Sequence, residues 1–554
     1  MALLLLALLA LLALWGLLRA RAGTPAPAPR WPPGPRPLPL VGNLHLLRGA
    51  QQDEALMQLS KQYGPVFTVH LGHQKTVVLT GYEAVKEALV GTRQELAGRP
   101  PIAIFQLINR GGGIFFSSGP RWRAARQLTV RALHSLGVGR APVADKVLQE
   151  LRCLTAQLDS YGGEWGPGRL HPVQPAALTA ALHPQAGPSH WPCSAGLPPT
   201  SPSRSSSASG STTGILCSGP CWASLTTSWS SWGSQVCSEV SDFQGSGRPH
   251  LPLPHSGGCG AGASVAAACC DLHGPQLFNL YPRLGALLQL HRPVLRKIEE
   301  VRAILRALLE ARRRRTPPRG PEQSYLDALI QQGQGKDPEG LFTEANVVAC
   351  VLDMVMAGTE TTAATLQWAA LLMGKHPRVQ SRVQEELDRA LGPARLPRPE
   401  DVHALPYTNA VLHEVQRFIT LLPHAPRCTV ANTQLGPYLL PKGTPVLALL
   451  NSVLLDETQW ETPRHFNPGH FLDADGRFVK RPAFLPFSAG RRVCVGESLA
   501  RSELFLLFAG LLQRYRLLPP PGLSAAALDT TPAPAFTARP SAQALCAVPR
   551  LQGH

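Results

Sequence analysis

The chain has little that would suit a disulfide scaffold or a nucleic-acid-binding module. Seven of its 12 cysteines fall between positions 193 and 270, and the other five contain no Cys-x-x-Cys pair. Such scattered cysteines indicate a reduced compartment rather than a disulfide framework. The formal net charge is +17, yet the aromatic residues are not interleaved with the basic ones, as a stacking surface for nucleic acid requires. We therefore predict no nucleic-acid partner, and the positive excess suits an anionic membrane surface or an acidic protein.

The N-terminal residues 1–21 are predicted to be a membrane anchor. Residues 2–18 carry no polar or charged side chain, and Arg19 and Arg21 follow them. A run of this length is at the short end of what crosses a bilayer as a helix. A cleaved signal peptide is the alternative, but no basic residue precedes the run, and the arginines after it favour the cytosolic side. Residues 22–42 are rich in proline and predict a stiff, extended hinge.

A single cysteine near the end of the chain has an unusual setting. Cys494 lies on a predicted loop between Gly490 and Gly496, and an apolar run at helical spacing follows. The glycines permit a tight turn and a close approach of backbone to the sulfur. The positive N-terminal end of the helix would lower the pKa of Cys494 and stabilise a thiolate. Such a thiolate suits axial ligation of haem iron, whereas a buried structural cysteine is the ordinary alternative.

The longest helical pattern covers residues 343–373, with Thr343 as its cap and a glycine and a proline after it. Near its middle stands Ala-Gly-Thr-Glu-Thr-Thr. Gly358 is unfavourable in a helix interior and would let a ligand approach the backbone. The hydroxyl of Thr361 can bond to an earlier carbonyl and loosen the helix. A plain core helix is the alternative, but Glu360 beside Thr361 argues against it.

Two shorter patterns place polar side chains on one face of a helix. Trp122 and Arg126 are four residues apart, so the indole and the guanidinium can both donate to one carboxylate. Glu414 and Arg417 are three residues apart and can form an ion pair. Each pattern alone would be an ordinary helix surface. Further helices are predicted over 83–89, 146–158, 284–310 and 499–512, and a β-hairpin over 66–80 that turns at Gly72.

In chain order the sequence carries the hinge, W-x-x-x-R, A-G-x-E-T-T, E-x-x-R and the cysteine loop F-x-x-G-x-R-x-C-x-G. This combination resembles the cytochrome P-450 superfamily over residues 30–163 and 275–554, and is most similar to the W subfamily of its microsomal family two. The resemblance implies a mainly α-helical triangular-prism fold with a small β region, formed by a haem-thiolate catalytic domain at 43–554. It implies haem b as the cofactor. It also implies the endoplasmic reticulum membrane, with the catalytic domain in the cytosol.

The resemblance further implies partners and roles for single residues. The implied partners are NADPH–cytochrome reductase, cytochrome b5, membrane lipid and a lipophilic small-molecule substrate. Cys494 matches the axial ligand of the haem iron, and Glu360 with Thr361 matches the pair that delivers protons. The residues that match propionate contacts or the cofactor loop are Trp122, Arg126, Arg492, Arg110, His424, Phe487, Gly490 and Gly496. His470 stands where the superfamily usually has an arginine that joins the E-x-x-R pair, and its ring can still donate a hydrogen bond.

The sequence departs from the family between residues 164 and 274. Residues 171–270 contain four charged residues, no lysine, 20 serines and four of the ten tryptophans. A disordered linker lacks tryptophan and cysteine, and a folded segment shows periodicity, so the stretch fits neither description. We interpret it as a shifted reading frame followed by unspliced intervening sequence. A genuine, disordered insertion is the alternative.

The function predicted from these observations is that of a membrane-bound haem-thiolate monooxygenase. It inserts one atom of O2 into a small lipophilic substrate and reduces the other atom to water, with electrons from NADPH through a reductase. One alternative is a haem-thiolate isomerase or dehydratase, which would not need the Glu360 and Thr361 pair. The other alternative is a non-catalytic product of a defective gene model, which only the 164–274 stretch supports.

Overall fold

The computed structural model describes residues 30–47, 52–92, 94–160, 274–314, 324–335, 337, 339–533, 537–541 and 543–550. The predicted anchor, the first part of the hinge and nearly all of residues 164–274 lie outside these ranges.

Helices dominate the described part of the chain. They are α1 (Gln52–Tyr63), α2 (Tyr82–Lys86), α3 (Ala103–Asn109), α4 (Gly119–Ser135), α5 (Ala141–Ser160), α6 (Gly274–Leu280), α7 (Pro282–Leu287), α8 (Arg292–Arg313), α9 (Tyr325–Gln334), α10 (Glu344–Lys375), α11 (Pro377–Leu391), α12 (Pro406–Ile419), α13 (Asn451–Leu454) and α14 (Glu497–Arg514). The strands are β1 (Val66–Leu71), β2 (Gln74–Leu79), β3 (His424–Cys428), β4 (Thr433–Leu435), β5 (Tyr438–Leu440), β6 (Pro445–Leu449), β7 (Tyr515–Leu518), β8 (Pro532–Ala533), β9 (Arg539–Pro540) and β10 (Cys546–Pro549). This is the predicted mainly α-helical fold with a small β region.

The largest sheet has the strand order β1-β2-β6-β3. Strands β1 and β2 pair antiparallel with Val66 opposite Leu79, and Gly72 turns between them at a φ of +62°. The predicted β-hairpin is therefore confirmed. Strand β6 then pairs parallel with β2 and antiparallel with β3. The sheet thus brings β3, which comes late in the chain, next to the N-terminal hairpin.

The described part of the proline-rich segment packs on this sheet. The backbone N–H of Thr68 in β1 donates to the carbonyl oxygen of Pro33 at 2.7 Å, and its hydroxyl donates to Pro32 at 2.9 Å. The ammonium of Lys75 lies 3.7 Å from the centre of the Trp31 ring. From Trp31 onward the described part of the predicted hinge is therefore packed against the folded body.

The long helix α10 runs through the core, and it begins and ends close to where the sequence predicted. Thr343 caps it by accepting a hydrogen bond from the backbone of Asn346 at 3.4 Å. Among the described residues it is the one helix long and apolar enough to cross a membrane. Its second half is buried, with Trp368 and Leu372 inside the largest core cluster together with side chains of α5, α11, α12 and α14. Packing inside the protein therefore accounts for its apolar composition.

Helix α14 places the end of the chain against this core. Gly510 lets α14 approach α5 closely, because an added Cβ would overlap the side chain of Leu151. The amide of Gln384 in α11 donates to the carbonyl oxygens of Leu512 and Tyr515, at 3.1 and 2.9 Å. The loop that carries Cys494 directly precedes this well-anchored helix.

Two predicted helices differ from the structure. The helix predicted over 284–310 is broken, because Gln289 has a φ of +58° between α7 and α8. The helix predicted over 83–89 is α-helical only as far as Lys86, and the chain then forms one π-helical turn over Glu87–Gly91. Neither break has a glycine or proline at the position where it occurs, so composition did not reveal it.

Candidate active site

The loop before α14 is held by its own backbone and by the turn Glu87–Gly91. The backbone N–H of Cys494 donates to the carbonyl oxygen of Phe487 at 3.0 Å, which closes the loop. Gly490 has a φ of +72°, and an added Cβ would overlap the carbonyl oxygen of Leu89. Glycine is therefore required here both for its dihedral angle and for the close approach of two backbones.

Cys494 is accessible, although it lies deep within the protein. Burial raises the pKa of its thiol, which outweighs the lowering by a hydrogen bond from the backbone of Gly496, and Glu497 raises it further. The backbone N–H of Gly496, the N-cap of α14, lowers the pKa of Cys494 as predicted, but burial raises it by more, so the net shift is upward. The side chain of Cys494 is exposed, so its sulfur is available to a ligand.

The side chain of Arg492 anchors the loop to the region before α4. Its guanidinium donates to the carbonyl oxygens of Ala97 at 2.7 Å, Ile114 at 3.3 Å and Ser117 at 2.7 Å. It also lies 3.7 Å from the centre of the Trp122 ring. Burial lowers the pKa of Arg492 to about 8, and the charges of neighbouring arginines contribute to this shift.

Trp122 and Arg126 lie beside Arg492 and Cys494, as the sequence predicted. The indole Nε1 of Trp122 is buried and has no hydrogen-bond acceptor among the described residues. Burial lowers the pKa of Arg126, and Cys494 acts on it electrostatically in the opposite direction. A buried donor without an acceptor is costly, so both side chains are suited to an anionic ligand.

Two further arginines belong to this group and were missed in the sequence. Arg99 donates through Nε to Phe115 at 2.8 Å and through Nη1 to the carbonyl oxygen of Pro426. Arg427 in β3 also donates to Pro426, at 3.0 Å. Burial lowers the pKa of Arg99 to about 10, and Arg126 adds to that effect. The sequence signal for Arg427 was a charged residue placed between Pro426 and Cys428, within the short segment that forms β3.

We call Arg99, Arg126, Arg427 and Arg492 the arginine cluster. Within the described ranges, none of the four forms an ion pair with a carboxylate. Charges are rarely buried in proteins without a partner of opposite sign. The cluster therefore fits a ligand that brings carboxylates of its own.

The middle of α10 opens onto unfilled space. Ala357 and Gly358 are exposed although they lie at the centre of a core helix, and no atom from another described element lies within 4 Å of a Cβ added at Gly358. The hydroxyl of Thr361 donates to the carbonyl oxygen of Ala357 at 2.7 Å. Glu360 is turned elsewhere, since its Oε1 accepts from the hydroxyl of Thr537 at 2.8 Å. The two predicted proton-delivery residues are thus neighbours in sequence whose polar groups bond to different partners.

Comparison with known proteins agrees with this geometry. The family Cytochrome P450 matches residues 32–177 and 270–547. Cytochrome P450 2W1 of Homo sapiens is 68% identical over 550 residues, covering 99% of this chain and 100% of that protein. Cytochrome P450 2W1 of Mus musculus is 62% identical over 551 residues, covering 98% and 99%. Cytochrome P450 2K6 of Danio rerio is 36% identical over 517 residues, covering 93% and 90%.

The chain belongs to the cytochrome P450 family. This P450 is therefore a haem monooxygenase, an oxidoreductase whose cofactor is iron protoporphyrin IX. The predicted likeness to the W subfamily fits the relatives from human and mouse. The residues present fit the cofactor, because haem has two propionate carboxylates for the arginine cluster and an iron for the accessible Cys494.

The other two predicted propionate contacts each face a carboxylate of the protein. Arg110 follows α3 with its side chain 74% exposed, 3.9 Å from the carboxylate of Glu299. His424 begins β3, the strand that carries Arg427, and contacts the carboxylate of Asp53 in α1.

The E-x-x-R pair of this P450 is a buried network. Glu414 and Arg417 are both fully buried and form two hydrogen bonds of 2.7 Å. Arg417 also donates to the carbonyl oxygens of Leu454, Pro463 and His465, at 2.8, 2.7 and 3.0 Å. His470 contacts Glu414 through Nδ1 at 3.2 Å, so the histidine occupies the predicted third place. The network ties α12 to the segment that leads into the cysteine loop.

A half-buried carboxylate on α10 holds the loop that supplies carbonyl oxygens to the arginine cluster. Asp353 accepts from the backbone N–H groups of Ile114 at 2.7 Å and Phe115 at 2.9 Å, and from the amide of Asn109 at 2.8 Å. These two loop residues also supply carbonyl oxygens to Arg492 and Arg99. Sequence reasoning passed over Asp353, although a carboxylate in an apolar helix was a visible signal.

Proposed function

We propose that this P450 inserts one atom of O2 into a small lipophilic substrate, with electrons from NADPH through a cytochrome reductase. The observation that carries the proposal is the accessible Cys494 beside an arginine cluster that forms no ion pair with a carboxylate among the described residues. Bound haem supplies the oxygen-activating chemistry, and a cysteine thiolate favours O–O cleavage. Cys494 is the proposed iron ligand, and the arginine cluster with the Trp122 indole holds the propionates.

The substrate and proton roles fall on α10. Ala357 and Gly358 present a small, apolar surface to the open space, which suits a lipophilic molecule. Thr361 is proposed to hold a proton at its hydroxyl oxygen, close to a backbone opened by Gly358. Glu360 is proposed to exchange protons with that hydroxyl after leaving Thr537. A haem-thiolate isomerase or dehydratase would use neither residue, and a product that forms without O2 would favour that alternative.

Replacement of the iron ligand tests the proposal. Cys494→His should abolish the strongly red-shifted Soret band of the reduced carbon monoxide complex, because that band reports thiolate ligation. Cys153→Ser is the control, since it removes an exposed cysteine from α5. A red-shifted band that persists in the histidine variant would remove Cys494 from the role.

We also propose that the protein resides in the endoplasmic reticulum membrane, held by residues 1–21 and by an apolar surface on the folded body. Leu40 and Leu287 are 83% and 78% exposed, and Leu288 is exposed beside them. The hydroxyl of Tyr281, directly before α7, donates to the carbonyl oxygen of Leu40 and links the region of Leu40 to the start of the helix that carries Leu287. Exposed apolar patches of this kind favour contact with lipid or with another protein.

Deletion of residues 1–21 should release only part of the protein from membranes and leave its haem spectrum unchanged. Adding Leu287→Asp and Leu288→Asp should release the remainder, measured as co-sedimentation with phosphatidylcholine vesicles. Leu523→Asp is the control, because this leucine is exposed outside the patch. Equal release by the control would contradict a specific lipid-facing surface.

Cytochrome b5 is a second proposed electron donor, favoured only by the positive net charge.

For residues 164–274 we propose a shifted reading frame followed by unspliced intervening sequence. The family match omits residues 178–269, which supports this proposal. Translation of the underlying DNA in its other two frames should yield amphipathic helical runs over roughly the first half of the stretch, because helices over an apolar pocket need that periodicity. Frames that are interrupted or equally patternless would favour a genuine insertion.

A further inference from the structure

Arg427 stands apart from the arginines that the family motifs identify. It lies on β3, where its side chain is 3% exposed, and the motifs of this sequence assign it no role. One terminal nitrogen donates to the hydroxyl of Ser488 in the cysteine loop at 2.9 Å, and the other donates to Pro426 at 3.0 Å. Both acceptors are neutral, so the charge of the guanidinium is left without a partner among them.

The neighbours of Arg427 are other cations. The carbonyl oxygen of Pro426 accepts from Arg99 as well as from Arg427, which places the two guanidinium groups side by side. Burial lowers the pKa of Arg427, and Arg99 and Arg126 lower it further. Arg427 in turn contributes to the lowered pKa of Arg492. The electrostatic part of each pKa shift reports repulsion between neighbouring arginines, so the charges of the four side chains influence one another.

We propose that Arg427 is a further haem-binding residue, and that its charge favours the reduced iron. The proposal rests on the proposed haem-thiolate function. Haem brings two propionates, and the carboxylate of Asp353 acts electrostatically on Arg99, so four guanidinium groups face three carboxylates and the cluster stays positive after the cofactor binds. A positive potential lowers the energy of an added electron. Arg427 therefore contributes both to haem retention and to the reduction potential.

Arg427→Gln removes the charge and keeps a side chain that can donate to Ser488. Loss of one charge-assisted hydrogen bond should speed haem transfer to apomyoglobin by about tenfold or more. The reduction potential should become more negative, measured by titration with dithionite and dye mediators, in which one electron converts ferric to ferrous iron. Arg427→Lys should keep the potential close to that of the parent, because it keeps the charge.

Two controls separate charge from local structure. Ser488→Ala removes the hydroxyl that Arg427 binds and leaves the charge, so haem transfer and potential should stay at the parent values. Arg302→Gln removes a buried arginine of α8 that pairs with Glu299, far from any haem-binding motif. It should leave the potential unchanged.

Any of three results would overturn the inference. The first is a reduction potential and a rate of haem transfer in Arg427→Gln that equal those of the parent. The second is the same pair of changes in Ser488→Ala as in Arg427→Gln, and the third is a reduction potential in Arg427→Lys as low as that of the glutamine variant. If the glutamine variant yields no holoprotein, the lysine and alanine variants decide by the same criteria. A parent protein without the thiolate Soret band would instead refute the proposed function, and this inference with it.

Discussion

Replacing Gly490 by alanine tests how the cysteine loop is held in place. An added Cβ would overlap the backbone carbonyl oxygen of Leu89, and the φ of +72° disfavours any L-residue. Leu89 lies in the turn Glu87–Gly91, which is itself packed into a core cluster of the sheet. Since the obstacle is backbone rather than the end of a flexible side chain, the loop has to move to accommodate the methyl group.

Two costs combine in this variant. The left-handed conformation costs an alanine about 1–2 kcal/mol. Forcing a methyl group into a packed contact costs about 1–3 kcal/mol more, which gives a total of about 2–5 kcal/mol. Gly476→Ala is a matched control, because Gly476 has a φ of +77° in a surface turn and no heavy atom of the described residues lies within 4 Å of an added Cβ. The control therefore carries only the first cost.

The assay compares both variants with the parent at one heating rate. A large protein with a bound cofactor does not unfold in two states, so the temperature at which half of the thiolate Soret band is lost is the appropriate measure. The midpoint of Gly490→Ala should fall well below that of Gly476→Ala, and the variant should contain less haem per chain, because the displaced loop carries Cys494. Equal midpoints and equal haem contents would refute the contact with Leu89 as the reason for the glycine.

Two other changes act on α10 and its neighbours. Thr361→Ala should keep haem and substrate binding but raise the NADPH consumed per product formed, because the proton-holding hydroxyl is lost; unchanged coupling would make Thr361 structural. Burial raises the pKa of Glu503 in α14 to about 7, from an ordinary value of 4.5, although a hydrogen bond with Thr362 lowers it. The folded state therefore holds the proton more tightly, and stability falls as the pH rises from about 4.5 to about 7. Glu503→Gln should gain up to about 3 kcal/mol near pH 8 and nothing near pH 4, seen in the Soret-loss midpoint, and an equal gain at both would contradict this cause.

The sequence predicted the features that depend on neighbouring residues. The β-hairpin, the capped helix α10, the cysteine loop and the E-x-x-R pair are local patterns, and each was found where the spacing placed it. Family resemblance supplied the roles, and it also placed His470 beside Glu414 correctly. Local spacing gave no indication that Arg417 would be fully buried, because burial depends on the segment around Pro463 that packs over it.

Features that depend on distant segments were the ones missed. Arg99 and Arg427 are more than 300 positions apart in the chain, and only the pairing of β3 with β6 and of Gly98 with Cys428 brings them together. Nothing in the sequence shows that the end of α3 lies close to α8, where Arg110 faces Glu299. The pKa of Cys494 was misjudged because the helix terminus was visible in the sequence and the depth of burial was not.

The two buried arginine networks of this P450 have opposite requirements for the cofactor. Arg417 is fully paired within the protein, by Glu414 and by three carbonyl oxygens, so its network can form before haem binds. The arginine cluster is different, since its members repel one another and none forms an ion pair with a carboxylate among the described residues. A ligand that binds the folded state and not the unfolded chain stabilises the fold by mass action. The E-x-x-R network therefore holds the segment before the cysteine loop without a cofactor, whereas the arginine cluster is the part of the site that we propose the propionates complete.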